Sequence, residues 1–136
     1  MSERDASERW LFTDPRPLEL ALYGVLLVAW LVSTTGLRDV LHDTYGVPAL
    51  VTGSLPSFLA ALASTFLIGG AQGTGAAFSG LLSGLVMASA ELPPLLGLTN
   101  GVADPLDAIA AGLGGAVGSL CLALLRAAPG RRRRAA

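Results

Sequence analysis

The stretch that decides the fold is Thr44–Ala90, TYGVPALVTGSLPSFLAALASTFLIGGAQGTGAAFSGLLSGLVMASA, which has no Asp, Glu, Lys or Arg in 47 residues. A water-soluble domain needs a polar surface, and this stretch offers no charged face. Across all 136 residues, 52% are hydrophobic and 14% are charged, whereas soluble domains carry about 25% charge. This composition excludes a soluble enzyme, a nucleic-acid-binding protein and a disordered tail. It predicts a small polytopic membrane protein whose first partner is the lipid bilayer.

Four segments have the length and apolar character of membrane-spanning helices. The predicted spans are about 18–35, 47–70, 75–92 and 104–128. Pro56 interrupts span two, so this helix either begins near Leu55 or continues through a kink, and the longer helix has the more suitable length. The polar segment 1–17 lacks the pattern of a cleaved signal peptide, so we expect span one to be retained.

A short amphipathic helix is predicted between spans one and two, in Gly36–Gly46, GLRDVLHDTYG. Its apolar residues follow helical spacing, and its charged residues lie on the opposite side. Such a helix is typical of the membrane surface. The predicted fold is therefore an all-α membrane protein, a four-transmembrane-helix bundle with a short interfacial amphipathic helix.

The arginines predict the orientation of the bundle, because eight of the nine lie in 1–17 or from Arg126 onward. An even number of spans places both termini on one side, and the positive-inside rule makes that side cytoplasmic. We therefore expect a multi-pass protein of a bacterial or archaeal cell membrane. Its 129–136 tail is expected both to fix the topology and to bind anionic lipid headgroups. The arginines concerned are Arg131, Arg132, Arg133 and Arg134.

Small residues recur every four positions in spans three and four, where close packing replaces the hydrophobic effect. Gly80 and Gly84 lie along span three, and Gly114 and Gly118 lie along span four. Span four has a second row through Ala111, Gly115 and Ser119. We expect spans three and four to pack as a close antiparallel hairpin, with a homodimer interface as the alternative.

Candidate chemistry concentrates in Glu91, Asp104 and Asp107, at the end of span three and the start of span four. The two aspartates also fit an N-cap and an N3 acid around a proline at N1, which stabilises a helix start without further function. Glu91 has no such role, and an ionisable group near the membrane is a functional hypothesis by default. Arg38 and His42 lie one helical turn apart on the same predicted side and are candidate partners for these acids.

Other motifs give weaker signals. The chain has no HExxH, GxSxG, Walker or CxxC motif, and we predict neither an enzyme nor a cofactor. Asp39, His42 and Asp43 have a spacing that a metal could use, but a solvated helix face explains them better, and no metal site is predicted. Cys121 lies in an apolar run, where a lone thiol usually behaves as a small hydrophobic residue.

The segment from Glu91 to Gly118 resembles the VanZ-like family of small membrane proteins. The family pattern of a Glu ending one span and Asp-x-x-Asp-x-x-x-Asn-x-x-Gly-x-x-x-Gly opening the next is met here by Glu91, Asp104, Asp107, Gly114 and Gly118. The family's Asn falls on Ala111, its Gln on Pro94, and its Asp-Lys…His signal is absent. The family is named for resistance to teicoplanin, and the resemblance implies a role at the cell envelope.

Three functional hypotheses follow. The first is a non-catalytic, VanZ-like protein that binds or shields a lipid-linked or envelope component at its outer face. The second is an oligomeric small transporter or channel with Glu91 as the coupling acid. The third is a structural subunit of a larger membrane complex, which fits the scarcity of reactive groups equally well.

Overall fold

The computed structural model describes residues 16–98 and 104–128, and within these ranges the chain is helical with no strand. Six α-helices and one π-helical segment, Ser33–Leu37, follow one another. The α-helices are α1 (Pro17–Val32), α2 (Arg38–Tyr45), α3 (Ala49–Gln72), α4 (Ala76–Ser89), α5 (Leu92–Leu95) and α6 (Pro105–Ala127).

Four helical stretches are long and apolar enough to cross a membrane. They are Pro17–Tyr45, Ala49–Gln72, Ala76–Leu95 and Pro105–Ala127. Large apolar side chains such as Val25, Leu81 and Leu124 are exposed on their outer faces, as expected where lipid replaces water. The predicted all-α architecture with four helices long and apolar enough to span a membrane is confirmed.

The first helical stretch bends at Gly36, whose φ of 140° lies outside the helical region. Glycine has no Cβ and tolerates this conformation, so the chain can leave the α1 axis here and re-enter a helix at Arg38. α2 ends at Gly46, which is left-handed with a φ of 65°. The helical segment Arg38–Tyr45 thus follows the bend within the first helical stretch. A separate amphipathic helix at the membrane surface stays a prediction.

Pro56 lies inside α3, which continues from Ala49 to Gln72. Of the two alternatives for span two, the structure shows the longer helix. Its 24 residues extend about 36 Å, more than the about 30 Å of a hydrocarbon core.

α3 and α6 form the centre of the bundle. α1 packs on α3, and α4 packs on both α6 and α3. We call the end where α1 begins and α6 ends the terminal end, and the end that contains α2 and α5 the loop end. The 73–75 connection lies at the terminal end, since Arg126 contacts Thr74 there.

α4 and α6 approach each other closely, because a Cβ on Gly80 would collide with Ser119 and with the Gly115 carbonyl. A Cβ on Gly115 would in turn collide with the Gly80 carbonyl. Glycine at both positions allows the two backbones to touch, which is how helices gain packing energy in lipid. Gly84 also faces α6, at ordinary contact distance from Ala111 and Gly112.

The other small-residue row of α6 meets a different helix. A Cβ on Gly114 would meet the Phe58 carbonyl, and one on Gly118 would meet Thr65, so both glycines face α3. The sequence suggested a hairpin of spans three and four only. The two rows lie on adjacent stripes of α6, and each stripe has its own neighbour.

Buried hydroxyl groups add hydrogen bonds inside the bundle. The Ala61 carbonyl of α3 accepts one from Thr65 in the same helix at 2.9 Å and one from Ser83 of α4 at 2.5 Å. All three residues are buried. The second bond links two helices directly, where the polar groups have no access to water.

Candidate functional site

Three carboxyl groups gather at the loop end and form what we call the loop-end acidic cluster: Glu91, Asp104 and Asp107. Glu91 follows α4, and its Oε2 accepts a hydrogen bond from the Asp104 backbone N–H at 3.1 Å. Asp104 caps α6, because its Oδ1 accepts from the Leu106 N–H at 2.9 Å. The structure thus shows Asp104 as the N-cap of α6, and Glu91 lies beside the same helix start.

Asp107 occupies the first turn of α6 and is only partly exposed. Its Oδ1 is buried and has no hydrogen-bond partner among the described residues. The Ser54 side chain of α3 faces the carboxyl group, and the charges of Glu91, Asp104 and Arg38 act on it. A buried carboxylate oxygen without a hydrogen-bond partner is energetically unfavourable, because it has lost its bonds to water without replacing them.

Arg38 and His42 of α2 are both exposed. Neither forms an ion pair with the cluster within the described part of the chain, although Arg38 is close enough to act electrostatically on Asp107. The His42 ring instead contacts the Val47 carbonyl, with 2.9 Å between Nδ1 and the oxygen. His42 therefore fastens the end of α2 to the following loop, and the suggested pairing with the acids is not seen.

The remaining positions that the sequence singled out fall into three groups. Arg131, Arg132, Arg133 and Arg134 lie outside the described residues. Asp39 and Asp43 are exposed on α2, and across 16–98 and 104–128 no group of three potential ligands is arranged to hold a metal ion. Cys121 is exposed on α6 rather than buried. An apolar run in the sequence does not show whether a residue faces lipid or the core of the bundle, because both environments favour apolar side chains.

A second polar site lies at the terminal end, where Glu19 of α1 is fully buried. Arg126 of α6 contacts it through two parallel hydrogen bonds, Nε to Oε1 at 3.0 Å and Nη2 to Oε2 at 2.9 Å. The same guanidinium donates to the carbonyls of Gly69 at 3.1 Å and Thr74 at 2.6 Å. Arg16 adds a longer contact to Glu19 of 3.4 Å. We call Glu19 and Arg126 the buried ion pair.

This pair joins α1, the end of α3, the connection to α4, and the last turn of α6. Bidentate Arg–carboxylate geometry is among the strongest polar contacts in proteins, and here it is shielded from water. From the sequence, Arg126 was only one of the flanking arginines that predict the topology. A carboxylate inside an apolar span was the available signal, because such a group requires a partner.

The two sites have different chemical capacities. The buried ion pair uses its strongest donors and acceptors within the bundle, which is typical of a structural role. In the loop-end acidic cluster one carboxylate oxygen has no hydrogen-bond partner among the described residues, and the three acidic residues are partly exposed. No protein-family model, curated protein or solved structure matches the chain.

Proposed function

We propose that this chain is a small, non-catalytic, VanZ-like membrane protein that binds an envelope component at its loop end. The component is a lipid-linked or other envelope molecule that presents a positively charged or hydrogen-bond-donating group. The loop end faces outward from a bacterial or archaeal cell membrane, with both termini cytoplasmic. The arginine distribution supports this orientation.

The observation that carries the proposal is the loop-end acidic cluster. Three carboxyl groups, those of Glu91, Asp104 and Asp107, gather at the start of α6, and the charge of Arg38 acts on Asp107. Leaving a buried oxygen without a partner costs about 1–3 kcal/mol, which a ligand that donates to Asp107 Oδ1 would recover. The positions that carry the VanZ-like resemblance at this end, Glu91, Asp104 and Asp107, are also the ones that meet in space.

The helix α2 complements this cluster. It carries Arg38 on an exposed position, next to exposed apolar residues such as Val40. In the proposed orientation α2 lies in the outer interface, beside the headgroups of the outer leaflet. A ligand that is anchored in that leaflet would reach the acidic cluster without leaving the membrane.

The test removes charge from the cluster without removing the helix cap. The variant is Asp104→Asn with Asp107→Asn, since Asn caps helices as well as Asp. The matched control is Asp39→Asn with Asp43→Asn, which removes the same charge from exposed positions of α2. Each protein is expressed at equal level in a strain lacking the wild-type chain. Sensitivity to envelope-targeting antibiotics is measured, and lipids that co-purify from the host are identified by mass spectrometry.

We expect the cluster variant to change antibiotic sensitivity and to lose a co-purifying envelope lipid, and the control to match wild type. Identical results for cluster variant and wild type contradict the proposal. Loss of proton-linked uptake in Glu91→Gln proteoliposomes would favour a transporter instead. Co-purification with fixed protein partners that the cluster variant retains would favour a structural subunit.

A further inference from the structure

An apolar groove runs between α1 and α6, beside the buried ion pair. α1 packs mainly on α3, so away from the ion pair a space of about 370 Å³ separates α1 from α6. Phe66 of α3 forms part of its floor. The walls include Leu22 and Leu26 of α1 and Cys121 and Leu125 of α6.

The contents of this groove must be hydrocarbon. A buried water needs two to four polar partners, and the groove is lined almost entirely by apolar side chains. The groove is open to the side, because Val25 is 66% exposed and Cys121 is exposed. In a bilayer such an opening admits either a lipid chain or an apolar helix.

Charge at the end of the groove distinguishes these occupants. Leu22 lies one helical turn after Glu19, and Leu125 directly precedes Arg126, so the groove begins at the buried ion pair. Two guanidinium groups, Arg16 and Arg126, surround one carboxylate there, which leaves one net positive charge among the described residues. The Arg16 side chain is 42% exposed and can reach a headgroup.

We infer that the groove holds an acyl chain of an anionic phospholipid from the leaflet at the terminal end, with its phosphate beside Arg16. The apolar lining takes the chain, and the negative headgroup balances the excess positive charge. An apolar helix from a second copy would fill the groove but would place no negative charge beside Arg16.

The experiment measures which lipid the intact chain retains. Wild-type protein is extracted from vesicles with equal amounts of phosphatidylglycerol and phosphatidylcholine, and retained lipids are counted by native mass spectrometry. Cys121→Trp fills the groove. Ala116→Trp is the matched control, because Ala116 is also a small, exposed residue of α6 but lines a separate groove with α4. Arg16→Gln removes the headgroup partner and leaves the groove open.

We expect wild type and Ala116→Trp to retain phosphatidylglycerol with about fivefold preference, the effect of one cationic side chain near the membrane surface. Cys121→Trp and Arg16→Gln lose this preference, and free glycerol phosphate does not compete. Preference that persists in Cys121→Trp assigns the binding to the arginine tail and overturns the inference. A shift from dimer to monomer in Cys121→Trp, with lipid retention unchanged, overturns it in favour of a second copy.

Arg16→Gln leaves the groove open and does not depend on how Cys121→Trp folds. A phosphatidylglycerol preference that persists in Arg16→Gln would therefore contradict the inference by itself.

Discussion

Replacing Arg126 by Leu tests the buried ion pair most directly. The variant removes two bonds to the Glu19 carboxylate and one each to the Gly69 and Thr74 carbonyls. The Gly69 carbonyl still accepts a hydrogen bond from the Gly73 N–H at 2.9 Å, so losing its bond from Arg126 destabilises the protein little. The main cost is the Glu19 carboxylate, which is fully buried and loses its bidentate partner.

Removing one partner of a buried ion pair costs about 3–5 kcal/mol. Arg16 offsets little of this, because its contact to Glu19 is 3.4 Å and its side chain is 42% exposed. Partly exposed pairs are worth about 0–1 kcal/mol. We therefore expect Arg126→Leu to lower the free energy of unfolding by about 3–5 kcal/mol. Arg16→Leu serves as the control and should lower it by about 1 kcal/mol or less.

The double variant Glu19→Leu with Arg126→Leu makes the test specific. Apolar residues in place of both charges suit a membrane interior, so the double variant should be more stable than Arg126→Leu alone. Each protein is unfolded reversibly in mixed detergent micelles and followed by helical circular dichroism. A cost below about 1 kcal/mol for Arg126→Leu would refute the reasoning, as would single-variant costs that simply add in the double variant.

Three further predictions use the same unfolding assay. Gly115→Ala should lower the free energy of unfolding by about 1–3 kcal/mol, because the added Cβ would collide with α4. In the control Gly112→Ala the added Cβ meets no atom within 4 Å, so this variant should not be destabilised. Equal effects of the two substitutions would contradict the close approach of α4 and α6. Ser83→Ala should lower the free energy of unfolding by about 0.6 kcal/mol, and by about 1.7 kcal/mol at most, because it removes a hydrogen bond between two helices. Ser89→Ala should lower it less, because the Ser89 hydroxyl donates to a carbonyl of its own helix. Asp104→Ala should lower the free energy of unfolding by about 1 kcal/mol, because it removes the helix cap. Asp104→Asn should be as stable as wild type, since Asn also caps helices. A large loss of stability in Asp104→Asn would show that the negative charge, and not the cap, stabilises the helix start.

The fold was predictable because one physical requirement dominates it. The uncharged stretch 44–90 has to be in lipid, and lipid requires every backbone group to be bonded within a helix. The start of α6 was predictable for a local reason, since Asp104 and Pro105 satisfy a helix N-terminus by themselves. The proximity of Glu91 to Asp104 followed from the short connection between spans three and four.

The rest depended on how the helices are rotated against one another. Periodicity shows that Gly114 and Gly118 share a stripe of α6, but the neighbour of that stripe is set by the whole bundle. Glu19 and Arg126 lie 107 positions apart, and no spacing rule joins them. Cys121 faces outward, which hydropathy cannot show where lipid replaces water.

The two glycine stripes of α6 have a mechanical consequence. Gly115 is fitted against α4, and Gly118 is fitted against α3. A sliding or turning motion of α6 that preserved one fit would break the other. When the surrounding bilayer is thinner or thicker than the bundle, the helices therefore cannot adjust one by one. The molecule has to accommodate the mismatch by tilting as a unit or by deforming the lipid around it.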